Sequence, residues 1–287
     1  MLFSVVIGVL LGIAGQFVSE PLLMLINTPE NIIGQAAEYL RIYFAGVPFL
    51  MIYDFGSAVL RSNGDSRRPL AALLISGVIN VLLNPLFVIV FRIDVIGVAL
   101  ATDISTAISA LMVTYWLMRE QGEFRLSLRS LQLEKDCLRK IAAIGIPAAL
   151  QGAVFCIANI FIQSAINTFG SEAAAGSAIA MNFEYLAYYV NTAFGQAATT
   201  FTSQNYAAGN IKRCRRIFAV CLVLATAFSA VMCLSLTALR YQASGLFTRS
   251  QAEIEYACER ILIILCLQPI CSLYEIPAWT MRGLGTH

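Results

Sequence analysis

Eight runs of roughly twenty apolar residues divide this chain, and their length limits its fold more than any other feature. About 20 residues at a helical rise of 1.5 Å cross the ~30 Å hydrocarbon core of a bilayer. The runs cover approximately 2–26, 36–58, 69–91, 95–118, 141–168, 174–205, 216–239 and 257–280. In lipid every backbone polar group needs a partner within its own segment, so runs this long and continuous fold as helices. A β-barrel would need short alternating strands instead. Charged residues make up only 13% of the chain, against about a quarter in soluble domains. The expected fold class is all-α, a polytopic helical membrane protein. The first run, Leu2 to Ile26, lacks a basic leader and a small-residue cleavage pattern, and is read as a span rather than a signal peptide.

The loops between runs differ in basic charge. Arg61, Arg67 and Arg68 lie in the second connection; Arg119, Arg125, Arg129, Lys135, Arg139 and Lys140 in the fourth; Lys212, Arg213, Arg215 and Arg216 in the sixth. The opposite loops hold Arg92, Arg240 and Arg249 among acids. Basic loops stay on the cytoplasmic side, so both ends of the chain are expected there. The polar segment Gly122–Lys140, with Leu126, Leu128, Leu131, Leu133 and Leu138 among its charges, suits an amphipathic helix at the cytoplasmic interface.

One motif occurs twice. Leu60-Arg61-Ser62-Asn63-Gly64-Asp65 closes one apolar run, and Met281-Arg282-Gly283-Leu284-Gly285 closes another. A shift of 221 residues also superimposes Glu38 on Glu259, Pro48 on Pro269 and Tyr53 on Tyr274. A duplicated helix-and-loop unit in so apolar a chain points to a two-lobed transporter. Gly64 and Gly285 permit a tight turn, while Arg61, Asp65 and Arg282 can bond exposed groups at helix ends. A structural and gating role is expected of them, not substrate contact.

Other function classes fare poorly. A net charge of +2 gives no nucleic-acid partner. Eight cysteines, at 137, 156, 214, 221, 233, 258, 266 and 271, include no C-x-x-C pair and fall mostly in apolar runs, so they read as small hydrophobes. The only histidine is His287; no His-based metal or catalytic site can be built, and a membrane-embedded enzyme lacks its nucleophile and base. No G-x-x-x-x-G-K-[ST] loop is present, so ATP is not the direct energy source. No cofactor is expected.

Leu60-Arg61-Ser62-Asn63-Gly64-Asp65-Ser66-Arg67-Arg68-Pro69 resembles the Arg-x-x-Gly-Asp…Pro loop of the MATE (multidrug and toxic compound extrusion) transporters. Asn80-Val81-Leu82-Leu83-Asn84-Pro85-Leu86-Phe87 with Gly97-Val98-Ala99-Leu100-Ala101-Thr102 is similar to that family's fifth and sixth helices. Gly195-Gln196-Ala197-Ala198-Thr199 with Gln204-Asn205-Tyr206-Ala207-Ala208-Gly209-Asn210 is similar to the end of its eighth. The resemblance implies two six-helix lobes, of which this chain matches helices three to ten, about eight spans of twelve. Residues 1–120 then correspond to part of the first lobe, 121–140 to the cytoplasmic linker and 141–287 to part of the second. The chain is accordingly expected to be a truncated transporter, inactive by itself.

Acids within spans are costly, which makes each a candidate. Asp54 and Glu275 lie toward the cytoplasmic ends of their runs, and Asp103 midway along its own. Glu184, with Asn182, Tyr185 and Tyr188 around it, suits a lipophilic cation through charge and cation–π contact, or a proton. An acid bonded to a neighbouring helix is the alternative. Asn80 and Asn84 share one helical face. By resemblance to the DinF-like branch, that face and Thr102 form a first-lobe cation or proton site. Asn84 replaces the acid common there, so it can ligate Na+ but cannot titrate; Asp103 is offered as the replacement charge. Two asparagines bonding across helices is the alternative.

The resemblance thus implies secondary active efflux of organic, often cationic compounds in exchange for Na+ or H+, by a monomer in the cell inner (plasma) membrane, with small-molecule substrates and lipid as partners. A lipid-linked oligosaccharide flippase of the same superfamily and a non-functional fragment are the alternatives.

Overall fold

Glycine and proline decide where this chain's helices stop and bend. The computed structural model describes residues 1–25, 30–121, 124–127 and 134–285. Its helices are α1 (Leu2–Leu25), α2 (Glu30–Ser62), α3 (Arg67–Pro85), α4 (Asp94–Arg119), α5 (Lys135–Asn167), α6 (Ser171–Ala207), α7 (Ile211–Ala238), α8 (Arg240–Ser244) and α9 (Gln251–Leu284). A π-helical turn, Leu86–Val90, extends α3 beyond Pro85, whose ring removes one N–H from the ladder. There is no strand among the described residues.

The repeated motif is a helix stop. Gly64, at φ +85°, donates to Arg61 O at 2.9 Å while Asp65 N donates to Leu60 O at 3.0 Å. This is the paired closure that a left-handed glycine allows. Gly285, at φ +76°, donates to Arg282 O in the same way. Asp65 then starts α3: its Oδ1 accepts from the amides of Arg67 and Arg68 at 2.9 and 3.1 Å, satisfying two otherwise orphan donors. The Arg68 guanidinium bonds Asp65 and, at 2.7 and 3.1 Å, both oxygens of Glu120 after α4. Burial pushes the Asp65 carboxyl up, but the Arg68 side chain and the two amides outweigh it and hold it below its ordinary value. The Arg68 bond likewise lowers Glu120.

Two compact units divide the chain, Met1–Leu138 and Arg139–His287. In the first, α2 is central, packed against α1 and α4, with α3 against α4. A β-carbon at Gly8 would lie 2.7 Å from Pro48 Cα, and one at Gly12 3.0 Å from Phe44 O. Small residues thus bring α1 and α2 to backbone contact, the usual basis of helix association in lipid. Leu60, Ala72, Val113 and Leu117 form the buried core. In the second unit α9 is central and packs on α6, α7 and α8. Its cores are Ala180, Ala187, Cys233, Ile261 and Leu265, and Ala198, Cys221, Ala225 and Ile276. Helix α5 joins neither; no residue from Leu138 to Asn167 is buried.

Seven of the described helices are long and apolar enough to cross a membrane: α1, α2, α3 with its π turn, α4, α5, α7 and α9. The chain is a multi-pass, all-helical membrane protein. The eighth expected span, 174–205, is a helix of 37 residues. It falls short in composition because its buried face is small and polar, including Gly176, Ser177, Asn191, Gly195 and Thr202. Much of the expected interfacial helix, including Leu128, Leu131 and Leu133, lies outside the described residues. Arg125–Ser127 is not helical; instead Leu126 N donates to Leu117 O at 2.9 Å and its side chain joins the first unit's core.

Two outcomes are expected. Gly283→Val should lower stability by about 1–3 kcal/mol, read from thermal unfolding in detergent, because its β-carbon would meet the Thr199 backbone at 2.7 Å. Asp65→Asn should cost about 1 kcal/mol at neutral pH. A lowered folded-state value means that the Asp65 contribution is complete above about pH 4 and fades as pH falls further, so the variant should lose that part of the acid sensitivity.

Candidate functional site

Among the described residues, polar side chains inside these helices form distinct groups in each unit. In the first, Asn80 and Asn84 stand one turn apart on α3, and Asn84 Nδ2 donates to Asn80 Oδ1 at 3.0 Å. Asn80 Nδ2 in turn reaches Thr102 Oγ1 at 3.4 Å and Ser105 Oγ at 3.3 Å on α4. Both hydroxyls spend their protons on their own helix, Thr102 on Val98 O and Ser105 on Ala101 O. Asn84 Oδ1 is buried and has no hydrogen-bond partner among the described residues. A buried, unpaired acceptor is expensive, and the chain of donors starts from the same Asn84 amide and runs away from that oxygen.

Asp103 lies elsewhere. Successive helical residues are about 100° apart, which turns it from α3 toward α2. There its carboxylate lies against Gly46, where a β-carbon would collide with it. A small pocket of about 30 Å³ contains Tyr43, Gly46, Thr102, Asp103 and Thr106. Thr102 therefore touches both features, while Asn80, Asn84 and Ser105 form the seam. Ser105 was not foreseen; it lies three residues from Thr102 on the same face.

In the second unit Glu184 is already engaged. Arg260 Nε and Nη2 donate to its two carboxylate oxygens at 2.6 and 3.0 Å, and Arg260 Nη1 donates to Ser177 Oγ at 2.6 Å. This fork joins α6 to α9 with side chains only 17% and 20% exposed. The carboxylate is thus not a free cation acceptor in this structure. Asn182 bonds Ala178 O on its own helix, and Tyr185 is exposed. Arg260, a cation inside an apolar run, was the sequence signal for a partner acid.

Of the aromatic group around Glu184, Tyr188 alone reaches a cavity of this unit that also holds charged side chains. That space, about 630 Å³, is walled by α5, α6 and α9 and includes Gln151, Tyr188, Asn191, Glu275, Trp279 and Arg282. Trp279 Nε1 donates to Glu275 Oε2 at 3.1 Å. The Arg282 guanidinium sits 4.9 Å from the Trp279 ring centroid and donates to Gln151 Oε1 at 2.7 Å. Arg282, read from the sequence as a loop residue, therefore lines a cavity, because α9 continues through it to Leu284. The 221-residue register places Glu275 on Asp54 and Arg282 on Arg61, which was the available signal for this strip.

The MatE family sequence model matches residues 1–86 and 147–287. The chain is 27% identical over 291 residues to the probable multidrug resistance protein YoeA of Bacillus subtilis (strain 168), covering 99% of this chain and 63% of YoeA. It is 36% identical over 202 residues to the probable multidrug resistance protein YpnP of the same organism, covering 70% of this chain and 45% of YpnP. Among solved structures, the outward-facing conformation of a multidrug resistance MATE family transporter of the MOP superfamily superimposes with a TM-score of 0.91 at 22% identity, covering 99% of this chain and 64% of that one. The chain thus spans less than two thirds of the length of each.

The Arg260–Glu184 fork makes a stability prediction. Glu184→Leu or Arg260→Met alone should each cost up to about 3 kcal/mol, the low end for a broken buried pair because both side chains keep some exposure. The double variant should cost less than the sum of the two, as a thermal-unfolding double-mutant cycle will read.

Proposed function

The chain belongs to the MatE family, whose members are membrane transporters, and we propose that it serves secondary active export of organic, often cationic compounds in exchange for Na+. Because it spans under two thirds of the length of relatives such as YoeA, the proposal concerns the transport cycle to which these two units contribute. The naming of YoeA and YpnP as probable multidrug resistance proteins supports the substrate class.

The observation that carries the coupling step is the unpaired, buried Asn84 Oδ1. Asn80 Oδ1, Thr102 Oγ1 and Ser105 Oγ stand in the same bonded chain, so a small displacement of α3 against α4 presents several neutral oxygens together. Oxygen ligands suit a hard monovalent cation, and burial strengthens the attraction. None of these groups titrates near neutral pH. Na+ rather than H+ is therefore the proposed ion, in a first-lobe site like that of the DinF-like branch. Asp103 stands outside the proposed ligand set, since its carboxylate lies against Gly46 of α2. Exchange of access follows from bending of α2 and α9, where Pro48, Pro269 and Pro277 interrupt the backbone ladder. The thirteen basic residues of the three Lys- and Arg-rich loops support a reading with both ends of the chain on the cytoplasmic side of the plasma membrane, and a monomer is the proposed working unit.

An efflux-deficient strain expressing a transporter that contains these two units should accumulate less ethidium when an inward Na+ gradient is imposed. Asn84→Ala should remove that Na+ dependence, and the wild-type response should stay level between about pH 6 and pH 8. Efflux that follows a pH gradient alone and survives Asn84→Ala would refute Na+ coupling at this seam.

A further inference from the structure

A second cavity of this unit, about 760 Å³, runs between α6 and α7, apart from the one walled by α5, α6 and α9. Its chemistry is divided along its length. Lys212, Arg213 and Arg216, from the start of α7, line one end. The remainder is apolar, and Phe201, Val220 and Leu224 on its walls are exposed.

The three charges are unspent. No acid lines the groove, and the first turn of α7 carries none. Among the described residues, no ion pair engages Lys212, Arg213 or Arg216. The helix is capped through the Arg213 amide, which donates to Asn210 Oδ1 at 3.2 Å, so the guanidinium is not used in closing it. Like charges gathered at one place repel, and an anion among them removes that cost. The apolar part has a length of its own. Arg213 and Leu224 are 11 residues apart on α7, about 16 Å by helical rise. One leaflet supplies about half of a ~30 Å hydrocarbon core, so the groove is as long as a leaflet is deep. A free phosphate would leave that length bare, and a neutral apolar ligand would leave the cations unmatched.

We propose that this groove holds one anionic phospholipid, with its phosphate among Lys212, Arg213 and Arg216 and an acyl chain along Phe201, Val220 and Leu224. The two arginines suit the headgroup because their planar forks match phosphate oxygens. With the basic loops in the cytoplasm, this end of α7 lies at the inner headgroup level, where anionic lipids are recruited by clustered Lys and Arg. The export reading is neither used nor needed.

The test measures binding alone. A purified transporter that contains these two units is titrated in detergent with phosphatidylglycerol or with phosphatidylcholine of the same chains, and bound lipid is counted by native mass spectrometry. One phosphatidylglycerol should bind at least about tenfold more tightly than phosphatidylcholine, since each basic residue near a headgroup is worth roughly fivefold. Lys212→Gln, Arg213→Gln and Arg216→Gln combined should erase that preference; all three side chains are exposed, so the core is untouched. Arg139→Gln with Lys140→Gln, in another basic loop, should leave the preference unchanged. Ala197→Trp, which fills the groove from α6, should weaken phosphatidylglycerol although every charge remains. Glycerol phosphate, a headgroup without chains, should not displace the lipid even in large excess. Equal binding of the two lipids, displacement by glycerol phosphate, or an equal loss of preference in both basic-loop variants would overturn the proposal; the last marks a diffuse surface attraction. Absence of saturable lipid would overturn it too, and marks the groove as a seat for protein.

Discussion

Helices α6 and α9 lie so close that no β-carbon fits at Gly195 or Gly283, and the chemistry of the second unit depends on that contact. At Gly195 the obstruction is the Trp279 ring, and at Gly283 it is the Thr199 backbone. Lipid gives two helices no hydrophobic reason to associate, so packing and interhelical hydrogen bonds must hold them together. Here the bonds run along one seam: Arg260 to Glu184, Ser272 to Asn191 and Thr199 Oγ1 to Trp279 O. Close approach seats the indole against Gly195, and from there its N–H meets Glu275 while its face meets Arg282. The same register leaves Asn191 Nδ2 without a hydrogen-bond partner among the described residues. Ion pair, orphan amide and charged strip are consequences of one packing.

The two units use the repeated helix differently. Helices α2 and α9 both carry a midway proline, a tyrosine next to an acid, and an arginine that precedes a left-handed glycine. Beside α2, the seam between α3 and α4 is built of neutral groups and includes the buried Asn84 Oδ1, while α2 itself meets the Asp103 carboxylate at Gly46 and pairs Arg41 with Glu20. Around α9 the polar groups are charged and open to a cavity. On the proposed reading, the first arrangement suits a small inorganic cation and the second an organic ligand. One repeated helix thus meets different neighbouring helices in the two units.

Helix existence was legible from apolar run length, and helix ends were legible from glycine, because both are local. Gly64 and Gly285 stop their helices for a reason contained in four residues. The partner of Glu184 was not legible, since Arg260 is 76 residues away and only the α6–α9 register brings them together. Asp103 was grouped with Thr102 by adjacency, yet one residue of helix turns a side chain by about 100° and aims it at Gly46. Helix α6 looked like an ordinary span by length, but its small polar face is built for α9. The Glu275–Trp279–Arg282 strip was visible in the spacing once the repeat was aligned; that Asn191 joins it depends on packing.

The register of α6 on α9 is the central claim, and cross-linking tests it directly. In a Cys271→Ser background, Asn191→Cys combined with Ser272→Cys should form a disulfide under mild oxidation in membranes, because the native side chains touch at 3.0 Å and a disulfide requires such proximity. Asn182→Cys combined with Ser272→Cys should not, since Asn182 lies more than two turns away along α6. A cross-link at the second pair and none at the first would contradict the packing on which the ion pair, the orphan amide and the cavity all rest.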